Sequence, residues 1–163
     1  MLIPLTDVDL ELIRQWRNQV QVRKFFFNDH LISKQEHLNW WQNTKDDGSK
    51  KWLLFSQNGE KAGVVYFYDI QSKAEAFWGF YFSSDIKDYE KLKLWFALEQ
   101  YAMEYAFNEL QLQQLKCEVF AFNKAALVMH KRFAYKQIDS YQHSKGEVII
   151  LEIDKQGVKQ HGK

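Results

Sequence analysis

The sequence predicts an α/β protein of the mixed α+β kind. About seven strands form one mixed, mostly antiparallel sheet with helices on both faces. Three observations predict it. Periodic segments follow one another in the order β–α–α–β–β–β–α–β–α–β–β. Three strands in the middle are separated only by short turns, which makes an antiparallel meander. Residues 75–120 then place a long helical stretch between two strands. Such a unit closes as a right-handed parallel crossover.

Taken in order, "LIPL" reads as a first short strand. "DVDLELIRQWRN" follows, with Leu10, Ile13, Trp16 and Arg17 at helical spacing and Asp7 or Asp9 as its cap. "VQVRKFFFNDHLI" holds three adjacent phenylalanines that no single helix face could bury. "SKQEHLNWWQNTK" opens with Ser33 and Glu36 in capping-box register, with Leu38 and Trp41 on one face. The meander comprises "KWLLFSQ", the hairpin signal "NGE", "KAGVVYFYDI", a turn at "QSKA", and "EAFWGFYFS". A helical pattern runs from about Lys87 to Leu110, with Leu94, Leu98, Tyr101 and Tyr105 stepping by three or four. "LKCEVFAF" is a strand, and "NKAALVMHKRF" is a short helix with Asn123 at its cap. "YKQIDSYQHS" and "GEVIILEID" close the chain as a strand pair around Lys145 and Gly146. One domain is expected over residues 1–154. The polar tail "KQGVKQHGK", 155–163, is expected to be disordered.

The chain has 163 residues, 46% hydrophobic and 17% aromatic, enough for one core built from large rings or for a pocket lined by them. The net charge is +1, from 22 basic and 21 acidic residues, which argues against general nucleic-acid binding. The lone Cys117 allows no internal disulfide, fits a reducing compartment, and reads as a buried small apolar residue. The start "MLIPLTDVDLELIRQW" lacks a charged n-region before an apolar run, so no signal peptide is expected. No run of eighteen apolar residues exists, so no membrane partner is expected and a cytoplasmic location is the default. His30 and His37 lie seven apart without a nearby cysteine, a spacing that predicts no metal. No Gly-x-Ser-x-Gly elbow or Walker loop is present.

The stretches "WRN" (16–18), "NDHLIS" with "EHLNWW" (28–41), "GVVYFYDI" (63–70), "WGFYF" (78–82), "YAFNEL" (105–110), "CEVFAFNKAAL" (117–127) and "HKRFAY" (130–135) span nearly the whole chain. In this order the sequence resembles the GNAT superfamily of N-acetyltransferases. Its branch likeness is to the UDP-amino-sugar N-acetyltransferases of the pseudaminic-acid pathway, associated with flagellin modification. The resemblance implies a sheet splayed between strands four and five. It implies acetyl-CoA as co-substrate, its pantetheine arm on the exposed strand edge at Phe80 and Phe82 and its pyrophosphate on the turn after the fourth strand. It also implies a nucleotide-sugar acceptor and a possible homodimer.

That turn is "GFYFSSDIKDYEKLKLW" (79–95), which has no glycine after Gly79. Asp88 and Glu90 stand where relatives carry glycine or neutral residues. A carboxylate beside a diphosphate is repulsive by ~1 kcal/mol at 4 Å in water. Lys87, Lys91 and Lys93 are close in sequence and can hold phosphate as point charges. They are the expected anion-binding residues.

Glu118 lies inside an apolar strand, a costly place for a carboxylate unless it is paired or faces a cleft. The competing reading is a solvent-facing position, since Lys116 shares its face. The resemblance gives Glu118 the role of a base acting through water. His130 is either a surface residue beside Lys131 and Arg132 or, as the resemblance implies, the general acid for the leaving thiolate. Asn123 caps its helix, touches the cofactor arm, or both. A backbone N–H near Phe82 is the expected oxyanion donor. Arg17, Phe27, Tyr68, Asp69 and Tyr81 match positions lining the nucleotide-sugar pocket. The rings read equally well as core, whereas Arg17, on the apolar side of its helix, asks for a partner.

The expected function is acetyl-CoA-dependent transfer to the 4-amino group of a UDP-linked amino-dideoxy sugar. It would be direct, without a covalent enzyme intermediate. The alternatives are a catalytically silent acetyltransferase-like binding domain, favoured by the missing glycines, and an acetyltransferase for another amine.

Overall fold

The computed structural model describes residues 1–157. Its strands are β1 (Leu2–Pro4), β2 (Lys51–Gln57), β3 (Glu60–Gln71), β4 (Glu75–Phe82), β5 (Gln114–Phe120), β6 (Lys136–His143) and β7 (Gly146–Asp154). Its helices are α1 (Leu10–Asn18), α2 (Val20–Arg23), α3 (Lys34–Thr44), α4 (Asp88–Glu104) and α5 (Lys124–Arg132). The seven strands form one sheet in the order β1-β2-β3-β4-β5-β7-β6. Every neighbouring pair is antiparallel except β4 and β5. That parallel pair is the crossover expected from the strand–helix–strand unit.

The turn chemistry follows the sequence. Asn58 and Gly59 both have positive φ, at 53° and 83°, as a tight two-residue hairpin of right-handed strands requires. Ser33 caps α3 by accepting from the Glu36 N–H at 3.1 Å. The reciprocal half of the box is missing, because the Glu36 carboxylate pairs with His30 at 2.6 Å. Ahead of the first helix Thr6 caps a tight turn at Asp7–Asp9, and Asp9 takes the N-cap position of α1 with its side chain turned back to Thr6. Asp9 accepts from the Thr6 N–H and hydroxyl and from Lys61, while Asp7 accepts from the Trp41 indole. The segment after α1 forms the extra short helix α2. The long helix continues past Glu104 through a π-helical turn at Tyr105–Glu109. Of the residues that step along this helix, Leu98 is buried and Tyr101 is exposed. Lys155, placed by the sequence in a disordered tail, donates its N–H to the Gln113 carbonyl at 2.9 Å and its ammonium to the Phe107 carbonyl at 3.1 Å. Residues 158–163 of that tail lie outside the described residues.

Two cores pack on opposite faces of the sheet, because successive strand residues alternate in direction. On one face Leu53, Phe67 and Trp78 meet Leu98 and Ala102 of α4 and Ala126 of α5. On the other, Leu54, Val64 and Tyr81 meet Leu10, Ile13 and Trp16 of α1 and Trp41 of α3.

The feature that makes a site is where β4 and β5 stop pairing. Their ladder covers Glu75–Gln114, Ala76–Leu115 and Phe77–Lys116 and then ends. Beyond it β5 stays bonded to β7 as far as Phe120, and β4 stays bonded to β3 as far as Phe82. The two strands part like a V. The Ser83 N–H donates to the Ala62 carbonyl at 2.8 Å, which sets the phase of the β3–β4 ladder. Bonded pairs alternate in an antiparallel ladder, so Gly79 and Tyr81 turn their backbone to β3. Trp78, Phe80 and Phe82 turn theirs into the gap.

Candidate active site

A cavity of ≈370 Å³ occupies the V. It passes between the sheet faces, since its walls include Tyr66, Tyr81 and Glu118 on one side and Trp78, Trp95 and His130 on the other. Its roof is the α2 segment, including Val22, Lys24 and Phe26. A bare strand edge beside an apolar slot suits an extended chain carrying amides, because the unpaired N–H and C=O groups of β4 still need partners.

The three phenylalanines explain how the roof is held. Phe25 stacks on Phe122 with centroids 6.1 Å apart, Phe26 meets Tyr81 edge-on at 5.7 Å, and Phe27 meets Phe120 edge-on at 5.4 Å. Phe25 and Phe27 pack on the stacked Phe120–Phe122 pair while Phe26 turns to Tyr81, a division one helix face could not allow. Lys145, from the β6–β7 turn, donates to the Phe26 carbonyl at 2.7 Å and pairs with Asp29 at 2.8 Å.

Glu118 projects from β5 toward the Tyr66 side. It is neither buried alone nor simply solvated. One oxygen accepts from the Tyr68 hydroxyl at 2.6 Å and the other from the Tyr141 hydroxyl at 2.8 Å. Burial and the bond to Glu118 push the Tyr141 phenol up to about 12. Tyr68, more deeply buried, is raised further for the same reasons. Both phenols therefore stay protonated donors at neutral pH, and Glu118 is held as an acceptor facing the cavity.

His130 is no surface residue. It is 3% exposed, and its Nδ1 lies 2.6 Å from Oε1 of Glu99 on α4. Burial works against the imidazolium, but Cys117 and the Glu99 carboxylate outweigh it and raise His130 well above its ordinary value. An imidazole whose charged form is favoured thus lines the cavity. Asn123 heads α5, accepts from the Ala126 N–H at 3.3 Å and lines the cavity, so capping and a place at the site coincide.

Phe80 and Phe82 both line the cavity and stand edge-on to Trp95, at 5.2 and 6.3 Å. Of the three lysines, Lys91 lines the cavity and pairs with Asp88 at 2.7 Å. Lys87 is the exposed N-cap of α4. Lys93 is exposed and does not reach the cavity wall, because its place in the helix turns it away.

The expected acceptor residues divide. Tyr81 lines the cavity. Arg17 lies beneath it, 8% exposed, with its guanidinium 3.7 Å from the centre of the Phe26 ring. Its Nη2 donates to the Asn28 carbonyl at 2.6 Å, while its buried Nη1 has no partner among the described residues. The partner that the sequence demanded is a carbonyl and a ring, not a carboxylate. Phe27 is 42% exposed and sits outside the cavity beside His143. Asp69 is exposed on a bulge of β3, at φ 50°, and makes no contact with the cavity. Tyr68 reaches the site only through Glu118.

Sequence reasoning missed Glu99, Trp95, Tyr141 and Lys24. Glu99 had a signal: it sits in a helical stripe with Trp95, Ala102 and Ala106, where a carboxylate is as costly as at Glu118. Tyr141 had none, since nothing local says which β6 residues face Glu118. Gly79 has a reason visible only in three dimensions. A Cβ there would collide with the Tyr66 phenol, which lies over it.

A splayed mixed sheet with a through-going cavity, a tethered carboxylate on one wall and a buried imidazole on the other is an arrangement that can serve group transfer. Residues 1–136 match the acetyltransferase (GNAT) domain family, and the chain belongs to that family. It is similar to the acetyltransferases PseH of two Campylobacter jejuni subsp. jejuni strains, 81-176 and NCTC 11168. The first is 30% identical and the second 31% identical, each over 128 residues that make up 78% of this chain and 77% of the relative. The crystal structure of Campylobacter jejuni N-acetyltransferase PseH in complex with acetyl coenzyme A matches with a TM-score of 0.72 at 22% identity, covering 95% of this chain and 99% of that one. Spermidine N-acetyltransferase from Vibrio cholerae, solved with CoA and spermine, matches with a TM-score of 0.83 at 15% identity, covering 98% and 97%. These structures share the fold. No helix among the described residues is long and apolar enough to cross a membrane.

Proposed function

We propose that the protein transfers an acetyl group from acetyl-CoA to an amine, and that the acceptor is the 4-amino group of a UDP-linked amino-dideoxy sugar. The single observation that carries the reaction is the cavity in the V, which has the bare β4 edge on one side and Glu118 and His130 on opposite walls. The residues present suit acetyl-CoA as a substrate. The unpaired backbone of Trp78, Phe80 and Phe82 can bond the amides of its arm, and Asn123 stands at the same wall. Lys87 and Lys91, at the head of α4, can hold its phosphates. Acetyl-CoA supplies an acetyl carbon activated by sulfur.

The remaining work falls to this chain. Glu118 accepts a proton from the acceptor amine, directly or through one water, and two tyrosines hold it in place. A gap-facing N–H of β4 donates to the developing oxyanion. His130 gives a proton to the leaving sulfur. Tyr66, Tyr81 and Phe26 offer aromatic faces for a base, and Arg17 offers a cation beneath them for a diphosphate. The sugar-nucleotide acceptor rests on the sequence resemblance to that branch and on the likeness to proteins named PseH.

One observation favours the silent-domain reading. Asp85, Asp88 and Glu90 crowd the head of α4, and Asp88 already occupies Lys91. Calorimetric titration with acetyl-CoA, followed by thiol release with a panel of amines, separates the readings. Heat of binding, with thiol release that depends on a UDP-4-amino sugar, is expected. No heat at millimolar acetyl-CoA with folded protein removes the enzyme reading. Release driven by polyamines or peptide amines instead removes the acceptor.

A further inference from the structure

We infer that Glu99 is a positioning residue for the reaction, holding His130 so that Nε2 carries the transferable proton. The inference rests on the acetyl-transfer reading above and extends it to a residue outside the expected site.

Glu99 is fully buried, at 0% exposure, on a helix face that is otherwise apolar. A carboxylate in that setting persists only if it is paired and hydrogen-bonded. Both oxygens are used. Oε1 meets His130 Nδ1 at 2.6 Å, and Oε2 accepts from the Trp95 indole N–H at 3.1 Å. Trp95 is itself clamped edge-on by Phe80 and Phe82. The carboxylate therefore has one orientation, set by the aromatic wall of the cavity. An acceptor fixed at Nδ1 makes Nδ1 the donor nitrogen and leaves the second ring proton on Nε2. The imidazole is also held edge-on by Trp78 at 5.7 Å and tilted on Tyr135 at 5.0 Å, so it cannot turn over.

The arrangement balances. The amine nitrogen bonds to the acetyl carbon, and the carbon–sulfur bond breaks. The amine proton passes to Glu118 and then to solvent. The Nε2 proton passes to the thiolate. His130 is left neutral, still donating from Nδ1 to Glu99, and is reprotonated from solvent. The titratable groups facing His130 are Glu99 from α4, Cys117 from β5 and Tyr135 after α5, with Lys131 and Arg132 on its own helix. Of these, Cys117 and Glu99 both raise the ring, and Glu99 makes the 2.6 Å contact at Nδ1.

The test is Glu99→Gln, alone and combined with His130→Gln, read in two ways. Nitrogen NMR of the His130 ring in the unliganded protein reports the proton positions directly. Wild-type is expected to keep both ring protons through neutral pH, and Glu99→Gln to lose one at lower pH. In turnover, Glu99→Gln is expected to move the alkaline fall of kcat to lower pH. At pH 9 it should cost ~10-fold or more in kcat, with KM for acetyl-CoA within about two-fold. In the His130→Gln background Glu99→Gln should add nothing further. An unmoved His130 titration, an unmoved alkaline limb, or an equal loss in both backgrounds overturns the inference and leaves Glu99 a structural pair. Wild-type protein that binds acetyl-CoA but releases no thiol with any amine removes the functional reading itself, and this inference with it.

Discussion

Among the described residues the two faces of the sheet each bury one histidine, and the two are shifted in opposite directions. His37, on α3, is 5% exposed, stacks on Trp40 at 4.8 Å and forms no ion pair among the described residues. Burial, aided by Arg14, holds it down at about 4. His130, on the α5 face, is equally buried yet raised, because Cys117 and the Glu99 carboxylate, buried with it, outweigh the cost of burial. Burial alone makes a neutral packing ring. Burial with a carboxylate makes a stored proton. What separates a structural histidine from a chemical one here is the company it is buried with, Cys117 of β5 and Glu99 of α4.

The largest expected effect breaks the charged pair. His130→Leu leaves Glu99 buried without a cation, and should cost about 3–5 kcal/mol of stability as well as activity. Chemical denaturation checks it. The matched change His37→Leu removes no partner from any ion pair and should cost far less. Equal losses would erase the contrast.

Next is Glu118→Gln, which keeps one tyrosine hydroxyl donating to its amide oxygen, turns the other hydroxyl into an acceptor of its amide N–H, and removes the base. Thiol release should fall by about 100-fold, most at low pH where the acceptor amine is charged. A pH–rate profile that drops uniformly, or not at all, takes Glu118 out of the chemistry.

The third effect is on acid stability. Between about 4 and its ordinary 6.5, the unfolded chain binds a proton at His37 that the folded chain refuses. Stability is therefore lost as pH falls through that window, by up to about 3 kcal/mol from this residue. His130 has the opposite sign. Its contribution is full below the ordinary value and is lost as pH rises through its raised one. Urea melts at pH 7 and pH 4.5 should show the acid loss, and His37→Phe should flatten it.

The smallest stability effect sharpens the same lesson on a cation. Arg17 is buried without a carboxylate, and burial lowers its pKa. Arg17→Met should change stability by no more than about 1 kcal/mol, since an apolar side chain replaces an ill-compensated charge. If Arg17 serves the acceptor's diphosphate, KM for the acceptor should rise ~10-fold with KM for acetyl-CoA unchanged. A destabilised protein with unchanged KM would make Arg17 a structural strut for the Asn28 loop.

The sequence by itself determined the order of strands and helices, the Asn58–Gly59 hairpin, the Ser33 cap and the single parallel crossover. Each follows from periodicity, φ preference or chirality, which act over a few residues or one connection. It also pointed to Glu118 and Asn123, since a carboxylate in an apolar strand and a cap before a short helix are local signals, whereas His130 was singled out by the family resemblance. Only the tertiary structure decided that Glu118 shares its oxygens between Tyr68 and Tyr141, and that Lys93, Phe27 and Asp69 stand away from the cavity. It alone set His130 against Glu99, 31 residues distant. Those outcomes depend on how far β4 and β5 diverge and on the rotation of α4 over the sheet. Packing of the whole core sets both, and no short stretch of chain encodes them.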